Sequence, residues 1–197
     1  PAILIRRKDA SNITFGFSWV TARRLNSSEH YAMSCLNHIL NGTMNSQIFG
    51  QARKLGLIYG MGSGLSTSAH NTSWDFDGEV NLENSAQLFS LIRTELTKVL
   101  NNEIPKQAIE AAKSYALGRY QMGAQTVNQI TDYYADNYFL SGDLENYDNV
   151  PTIINSIDQS TMVNLAREFV GSGIHSLVAV GSCEKAIIND LAAELQI

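Results

Sequence analysis

The four histidines are the residues in this sequence best suited to hold a metal ion, and their spacing argues against a shared site. They are His30, His38, His70 and His175. His30 and His38 fall in one predicted helix, but they are eight positions apart, which corresponds to about 12 Å along a helix axis. A zinc ligand must lie about 2 Å from its metal. These two histidines therefore cannot share a zinc ion, and we expect one to be partly exposed and the other packed.

A glycine-rich stretch, Gly60-Met-Gly-Ser-Gly64, is the one segment that could suggest phosphate binding. Anion sites of that kind need a helix N-terminus directly after the loop, and here the glycines lie inside a predicted strand. Glycines in a strand instead indicate a bulge or the close approach of another backbone. The sequence also lacks a nucleophile elbow, a Walker loop and a dinucleotide fingerprint. On residue chemistry alone, no catalytic apparatus is visible.

Composition excludes several classes of protein. The net charge is −5, and basic residues cluster only at Arg6-Arg7-Lys8 and Arg23-Arg24, so a nucleic-acid partner is not expected. No run approaches the ~20 apolar residues of a membrane span. The two cysteines, Cys35 and Cys183, do not indicate an oxidising compartment, which favours the cytoplasm. The chain begins as a strand and without Met, so we expect a piece of a longer protein.

The predicted elements alternate between strands and helices. Apolar residues alternate in Asn12 to Val20, and a helix begins near Ser27-Ser28 and ends at Asn41-Gly42, where Gly42 suits a left-handed cap. The remaining predicted segments are strands 2–5, 57–68, 72–80 and 174–180, and helices 45–55, 85–100, 105–120, 126–140, 159–170 and 183–195. This order predicts an α+β fold, with a mixed, largely antiparallel sheet and helices packed on one face. We expect residues 1–197 to form a single domain.

The segment from Leu36 to Tyr59 carries a resemblance to a known family. Six of its residues fall without a gap on the motif of the second halves of insulinase/pitrilysin-type zinc peptidases: Ser46, Ile48, Phe49, Gly56, Leu57 and Tyr59. This family, the inverzincins, includes peptidases like the mitochondrial processing peptidase. The segments Phe15-Gly16-Phe17, 106–113 and 178–182 are similar to further parts of the same half. The resemblance therefore covers nearly the whole chain and implies the fold of one half of such a peptidase.

The resemblance implies that this is the half without the zinc site. Members carry two halves of like fold facing each other across a chamber, and only one half bears the H-x-x-E-H zinc helix. The equivalent positions here are Ser34-Cys35-Leu36-Asn37-His38. Ser34 replaces a metal ligand and Asn37 replaces the general base, so only His38 remains. We expect no catalytic residue, metal ligand or cofactor in this chain, with Zn²⁺ held by the partner half.

The resemblance also implies a place for substrate contact. In the family's non-catalytic half, a Tyr and an Arg seven residues before it reach the peptide and stabilise charge on the attacked carbonyl. Tyr59 matches the Tyr, whereas the Arg position is Ala52 and Arg53 is its neighbour. One step along a helix turns a side chain by about 100°, which argues against a simple replacement. Tyr59 and Arg53 are the predicted substrate-binding residues.

Together these observations predict a non-catalytic half that encloses and orients peptide substrates for a zinc-bearing half. That partner would be in the same polypeptide or in a separate subunit. One alternative is a structural subunit that assembles with partners and makes no substrate contacts, as Ala52 suggests. A third hypothesis is an unrelated α+β binding domain.

Overall fold

A computed structural model describes residues 1–142, 144–172 and 175–197 of the chain. The strands within these ranges are β1 (Ala2–Arg6), β2 (Asn12–Thr21), β3 (Ile58–Thr67), β4 (Thr72–Asn81) and β5 (His175–Gly181). The helices are α1 (Ser27–Asn41), α2 (Phe49–Lys54), α3 (Leu82–Leu100), α4 (Lys106–Met122), α5 (Val127–Ser141), α6 (Val150–Ser156), α7 (Gln159–Gly171) and α8 (Lys185–Glu194). A single 3₁₀ turn at Tyr147–Asn149 precedes α6.

The five strands form one sheet in the order β1-β5-β2-β4-β3. β1 and β5 are parallel, while β5, β2, β4 and β3 pair in antiparallel fashion. The hairpin of β3 and β4 leaves β3 at one edge of the sheet. The predicted α+β fold with a mixed, largely antiparallel sheet is confirmed.

One face of the sheet carries the core because apolar residues alternate along its central strands. The buried residues of this face include Ile13, Phe15, Phe17 and Trp19 on β2, Trp74 and Phe76 on β4, and Leu177 and Ala179 on β5. Helices cover them: the Phe89 ring of α3 meets Phe15 edge-on at 5.2 Å, and the Phe169 ring of α7 lies 6.1 Å from Trp74. The helices thus pack on this face, as predicted.

The opposite face of the sheet is not covered by any described helix. The strand register places Ile3, Val178, Gly16, Asp77 and Gly62 in one row across it. Ile3 and Val178 are exposed at the β1 end, and Asp77 is exposed on β4. The Asp77 carboxylate lies over Gly62, where a Cβ would be 2.6 Å from its Oδ1. The open face is therefore apolar at the β1 end and acidic near the β3 edge.

Helix ends show where the sequence predictions need correction. α1 begins after Asn26, whose side chain accepts from the Glu29 backbone while the Glu29 carboxylate accepts from the Asn26 backbone, so Asn26 rather than Ser27 or Ser28 is the cap. Gly42 has φ −77°, so the predicted left-handed cap is wrong. Position 42 requires glycine for another reason: a Cβ there would lie 2.3 Å from Nδ1 of His38.

Two further differences concern the length and number of elements. α2 begins at Phe49 rather than residue 45, because Ser46 closes a turn on the Thr43 carbonyl. Helix α6, which has Pro151 in its first turn, was not predicted. Ile174, the predicted first residue of the last strand, lies outside the described residues. Among the residues described, no helix is long and apolar enough to cross a membrane.

Candidate functional site

Tyr59 lies at the start of β3, where the strand is irregular. Ile58 pairs with Val80 and Met61 with Gly78, so one extra residue is accommodated at Tyr59-Gly60. Such a bulge redirects side chains at the edge of a sheet, and the Tyr59 side chain is 89% exposed. The glycine-rich stretch is thus associated with a bulge, as predicted, and the bulge presents a tyrosine to solvent.

Arg53, in the last turn of α2, lies against that tyrosine. Its Cζ is 4.9 Å from the centroid of the Tyr59 ring, within the range of a cation–π contact. One terminal nitrogen of its guanidinium donates to the Ile58 carbonyl at 3.3 Å. The structure therefore brings the two predicted substrate-binding residues together, and the remaining guanidinium donors lie next to the phenol.

Ala52, the position that the resemblance assigns to an arginine, is fully buried. Its neighbours in the chain, Gln51 and Arg53, are half-buried on the outer side of α2. An arginine at position 52 in this conformation would point into the core. Arg53 itself lies on the outer side, one residue before the helix ends at Lys54, and the chain then turns toward Tyr59 at Gly56, which has φ +69°.

Tyr59 and Arg53 border a depression of about 740 Å³ at one corner of the sheet. Asn12, Glu79 and Asn81 form its polar wall, and the Asn12 amide donates to the Glu79 carboxylate at 2.6 Å. Phenol, guanidinium, amide and carboxylate groups can all bind peptide N–H and C=O groups. None of the described residues that line the depression is a serine, cysteine or histidine.

The helix with the degenerate H-x-x-E-H pattern is α1, and Asn37 on it has a structural role. Its Oδ1 accepts from the indole Nε1 of Trp74 at 2.9 Å, and its Nδ2 donates to the Ser63 carbonyl at 3.4 Å. One turn later, Asn41 donates from its Nδ2 to the Met61 carbonyl at 3.2 Å. Two asparagine amides thus fasten α1 to strand β3 and to the core.

These two amides occupy the free edge of the sheet. The Ser68 N–H donates to the Asn71 carbonyl at the hairpin turn, and hydrogen-bonded pairs alternate along an antiparallel ladder. From that pair and the register, the backbone groups of Met61 and Ser63 point away from β4. Asn37 and Asn41 therefore cap carbonyls that would otherwise be unpaired at the edge.

His38, the remaining residue of the pattern, stacks on an aromatic ring of α4. Its imidazole centroid is 3.9 Å from that of Tyr115, with 13° between the planes. Burial lowers the pKa of His38 below its ordinary value of 6.5. Ser34 lies one turn before it. Within the described ranges, no three His, Cys, Asp or Glu side chains are grouped so that they could hold a metal ion.

Comparisons with known proteins identify the family of the chain. The family model described as the peptidase M16 inactive domain matches residues 1–115, more than half of the chain and the whole segment from α1 to the Tyr59 bulge. The chain belongs to the peptidase M16 inactive-domain family. The resemblance to a non-catalytic insulinase-type half is thereby confirmed. A comparison with curated proteins gave no match.

Solved structures show the same fold at low sequence identity. A peptidase M16 inactive domain from Pseudomonas fluorescens superposes with TM-score 0.80 at 15% identity, over 93% of this chain and 44% of that one. A protease from Helicobacter pylori gives 0.77 at 14% identity, over 91% and 43%. A periplasmic protease from Escherichia coli gives 0.77 at 12% identity, over 92% and 20%. The M16 inactive domain described here thus spans less than half the length of each of these chains.

Proposed function

We propose that this M16 inactive domain positions peptide substrates for a zinc-bearing half, with Tyr59 and Arg53 in contact with the peptide. The observation that carries the proposal is the exposed phenol of Tyr59 beside the Arg53 guanidinium at a bulged strand end. A tyrosine ring that is almost wholly exposed adds little to the stability of the fold. Its place is better explained by contact with a molecule outside this chain.

The pair has the chemistry needed to hold a peptide carbonyl. The Tyr59 hydroxyl is one donor, and Arg53 uses a single nitrogen on the Ile58 carbonyl, which leaves further N–H groups for an oxygen acceptor. The Ile58 contact and the cation–π contact restrict the guanidinium before substrate arrives. A preorganised pair of donors loses less conformational entropy on binding than two free side chains would.

The open face of the sheet continues from the depression and could form a longer surface for a peptide. Glu79 lines the depression and belongs to the same uncovered face as Asp77 and Gly62. A Cβ on Gly64 would meet nothing within 4 Å, which leaves room for a chain to pass at this point of the β3 edge. We propose that a peptide lies along this face with one carbonyl at Tyr59, enclosed on its other side by the partner half.

The zinc and the attacking water belong, in this proposal, to the partner half, because Ser34 and Asn37 can supply neither a ligand of the right kind nor a base. The proposal takes residues 1–197 as one domain, which is supported by a continuous core that runs from Ile13 to Leu195. The alternative is a structural subunit without substrate contacts. The observation that favours it is the fully buried Ala52 at the position where the family has an arginine.

The test uses the enzyme assembled from both halves and compares Tyr59→Phe and Arg53→Met with the unaltered protein. Removal of one donor to a charged transition-state oxygen lowers the rate by about 10²–10³, so we expect kcat/KM to fall by that order in Tyr59→Phe. We expect the fall to appear in kcat, because the hydroxyl acts on charge that develops during the reaction.

Tyr138→Phe is the matched control, since Tyr138 is also exposed but lies on α5, away from the depression. The thermal midpoints of all variants should agree closely. Unchanged kcat/KM in both Tyr59→Phe and Arg53→Met would overturn the proposal and favour the purely structural subunit.

A further inference from the structure

A second cavity, separate from the Tyr59 depression, lies between α1 and α4 and holds about 380 Å³. Its walls are aromatic, contributed by Tyr31 of α1, Tyr115 and Tyr120 of α4, Tyr133 of α5 and Tyr147 of the 3₁₀ turn. Its size falls in the range of about 300–1,000 Å³ typical of small-ligand pockets. Five of the chain's eight tyrosines thus surround one space.

The floor of this tyrosine cavity is made of small side chains. Ser34 on α1 and Ala112 and Ala116 on α4 line it where the two helices cross. Ser34 stands at the position where the H-x-x-E-H helix has its first histidine, and His38 forms part of the same wall with its ring against Tyr115. Loss of the large ligand side chain at position 34 therefore leaves space between flat rings.

The aromatic walls are held in place before any ligand arrives. The ring of Tyr147 stacks on Tyr120 at 4.6 Å and meets Tyr133 edge-on at 4.8 Å. The Tyr147 hydroxyl donates to the Tyr120 carbonyl at 2.6 Å. Gly123 permits this arrangement, because a Cβ there would lie 2.9 Å from that hydroxyl oxygen. Fixed rings at these distances can accept a further flat ring without rearrangement.

One charged group stands at the cavity. Of the described residues that line it, Arg119 alone carries a full charge at neutral pH, since burial keeps His38 neutral there. Arg119 is exposed, and its guanidinium makes no hydrogen bond or ion pair with any part of the chain that the structure describes. Burial raises the pKa of Tyr133 and of Tyr31, and the negative charge of Glu145 adds to both shifts, but Glu145 does not line the cavity. A guanidinium without a partner at the rim of an aromatic cavity suits a carboxylate.

We propose that the tyrosine cavity binds an aromatic ring that carries a nearby carboxylate, with the ring between the tyrosines and the carboxylate on Arg119. A peptide that ends in phenylalanine and a small aromatic acid share this chemistry. The site does not use Tyr59, Arg53 or the partner half. Its binding can therefore be measured on this protein without the zinc-bearing half, and it stands or falls separately from the proposed peptide positioning.

Isothermal titration with three probes tests the two parts of the ligand. N-acetylphenylalanine has the ring and the carboxylate, its carboxamide lacks the charge, and N-acetylalanine lacks the ring. We expect N-acetylphenylalanine to bind about tenfold more tightly than its carboxamide, because the lost contact is charge-assisted. N-acetylalanine should show no measurable binding. Equal binding of all three probes would overturn the proposal.

Variants test whether N-acetylphenylalanine binds in this cavity. Arg119→Gln should reduce the affinity for N-acetylphenylalanine to that of the carboxamide, whereas Arg7→Gln, at another exposed arginine, should leave it unchanged. Ala116→Leu should fill the floor and abolish binding. Tyr115→Ala, at a half-exposed ring, provides a second variant if Ala116→Leu does not fold. Normal affinity in folded Arg119→Gln and in a folded cavity variant would contradict the assignment.

A fourth probe, the peptide Ala-Ala-Ala-Ala-Phe, separates the two sources of ligand. Affinity equal to or above that of N-acetylphenylalanine assigns the cavity to peptide C-termini. Binding of N-acetylphenylalanine alone assigns it to small aromatic acids. Either result supports the proposed ligand chemistry, and failure of both to bind above N-acetylalanine overturns it.

Discussion

At position 37 an amide makes two contacts that a carboxylate could not make together. It accepts a hydrogen bond from the Trp74 indole and donates one to the Ser63 carbonyl. A glutamate has no donor when ionised, and its longer side chain would displace the indole contact. The residue that stands in place of the family's general base is therefore a structural element of this half.

We predict that Asn37→Ala destabilises the fold by about 2 kcal/mol, because the buried Trp74 N–H and the Ser63 carbonyl both lose a partner. Urea unfolding followed by tryptophan fluorescence measures the change. Asn155→Ala, on the exposed side of α6, is the control and should alter the free energy of unfolding by less than about 0.5 kcal/mol. Equal values for the two variants would show that the Asn37 contacts do not contribute.

The two histidines of α1 predict how stability depends on pH. Burial lowers the pKa of His30 and of His38 from 6.5, and the nearby Arg24 charge lowers that of His30 further. Below about pH 6.5 the unfolded chain binds protons that the folded chain excludes, so this contribution to stability is complete above pH 6.5 and is lost as pH falls.

The urea midpoint of the protein should accordingly decrease between about pH 7.5 and about pH 5.5. In a His30→Gln, His38→Gln double variant the decrease should be smaller. His70→Gln, at an exposed loop histidine, is the control and should keep the full pH dependence. A double variant with the same pH profile as the unaltered protein would disprove the role of these two histidines.

At the scale of elements, the effect of a substitution in the β3–β4 hairpin depends on whether the glycine that is replaced faces the core. A Cβ on Gly78 would lie 2.9 Å from the Phe15 ring, whereas a Cβ on Gly64 would meet nothing within 4 Å. The two positions belong to neighbouring strands of the same hairpin, with opposite surroundings. They form a matched pair for testing how the inner face is packed.

We predict that Gly78→Ala destabilises the protein by about 1–3 kcal/mol through overpacking against Phe15. Gly64→Ala should instead stabilise it by about 0.4–1 kcal/mol, because alanine restricts the unfolded chain and the strand conformation accepts it. Thermal unfolding of both variants gives the comparison. Effects of the same sign and size would mean that the inner face is not packed as described.

Much of this element structure follows from local pattern. The alternation of apolar residues from Asn12 to Val20 predicted β2, and the predicted start of a helix at residue 159 matches α7, where the side chain of Asp158 accepts from the Thr161 N–H. Helix α6 has seven residues, too few for a periodic apolar pattern, although Pro151 in its first turn was an available signal. Gly42 was misjudged because its hydrogen makes room for His38, a contact four residues back that no turn rule describes.

The candidate site was predictable only in part, for a similar reason. Tyr59 came from a motif, but the position of Arg53 depends on where α2 ends and on the turn at Gly56, which set the guanidinium over the ring. The step of about 100° from Ala52 to Arg53 agrees with Ala52 being buried and Arg53 lying on the outer side of α2, but it does not by itself predict the contact with Tyr59. The tyrosine cavity brings together residues 31 to 147, and no local pattern links them.

At the scale of the molecule, we predict that this protein purified without chelator carries no stoichiometric zinc and hydrolyses no peptide when separated from any zinc-bearing half. Ser34 and Asn37 remove a ligand and the base, and His38 is engaged with Tyr115. Elemental analysis and a quenched peptide library are the measurements. One tightly bound zinc per chain, or hydrolysis lost on His38→Ala, would contradict the assignment of this half as non-catalytic.

The asparagine caps on β3 also bear on how the protein behaves at high concentration. An edge strand with unpaired backbone groups is a template for another strand, and proteins that leave such edges open tend to associate into extended sheets and fibrils. Here the side chains of Asn41 and Asn37 donate hydrogen bonds to the carbonyls of Met61 and Ser63 in the same chain. Two of the acceptors on this edge are therefore occupied within the chain, which favours colloidal stability. Helix α1 thus covers part of the sheet edge that could otherwise pair with a second molecule.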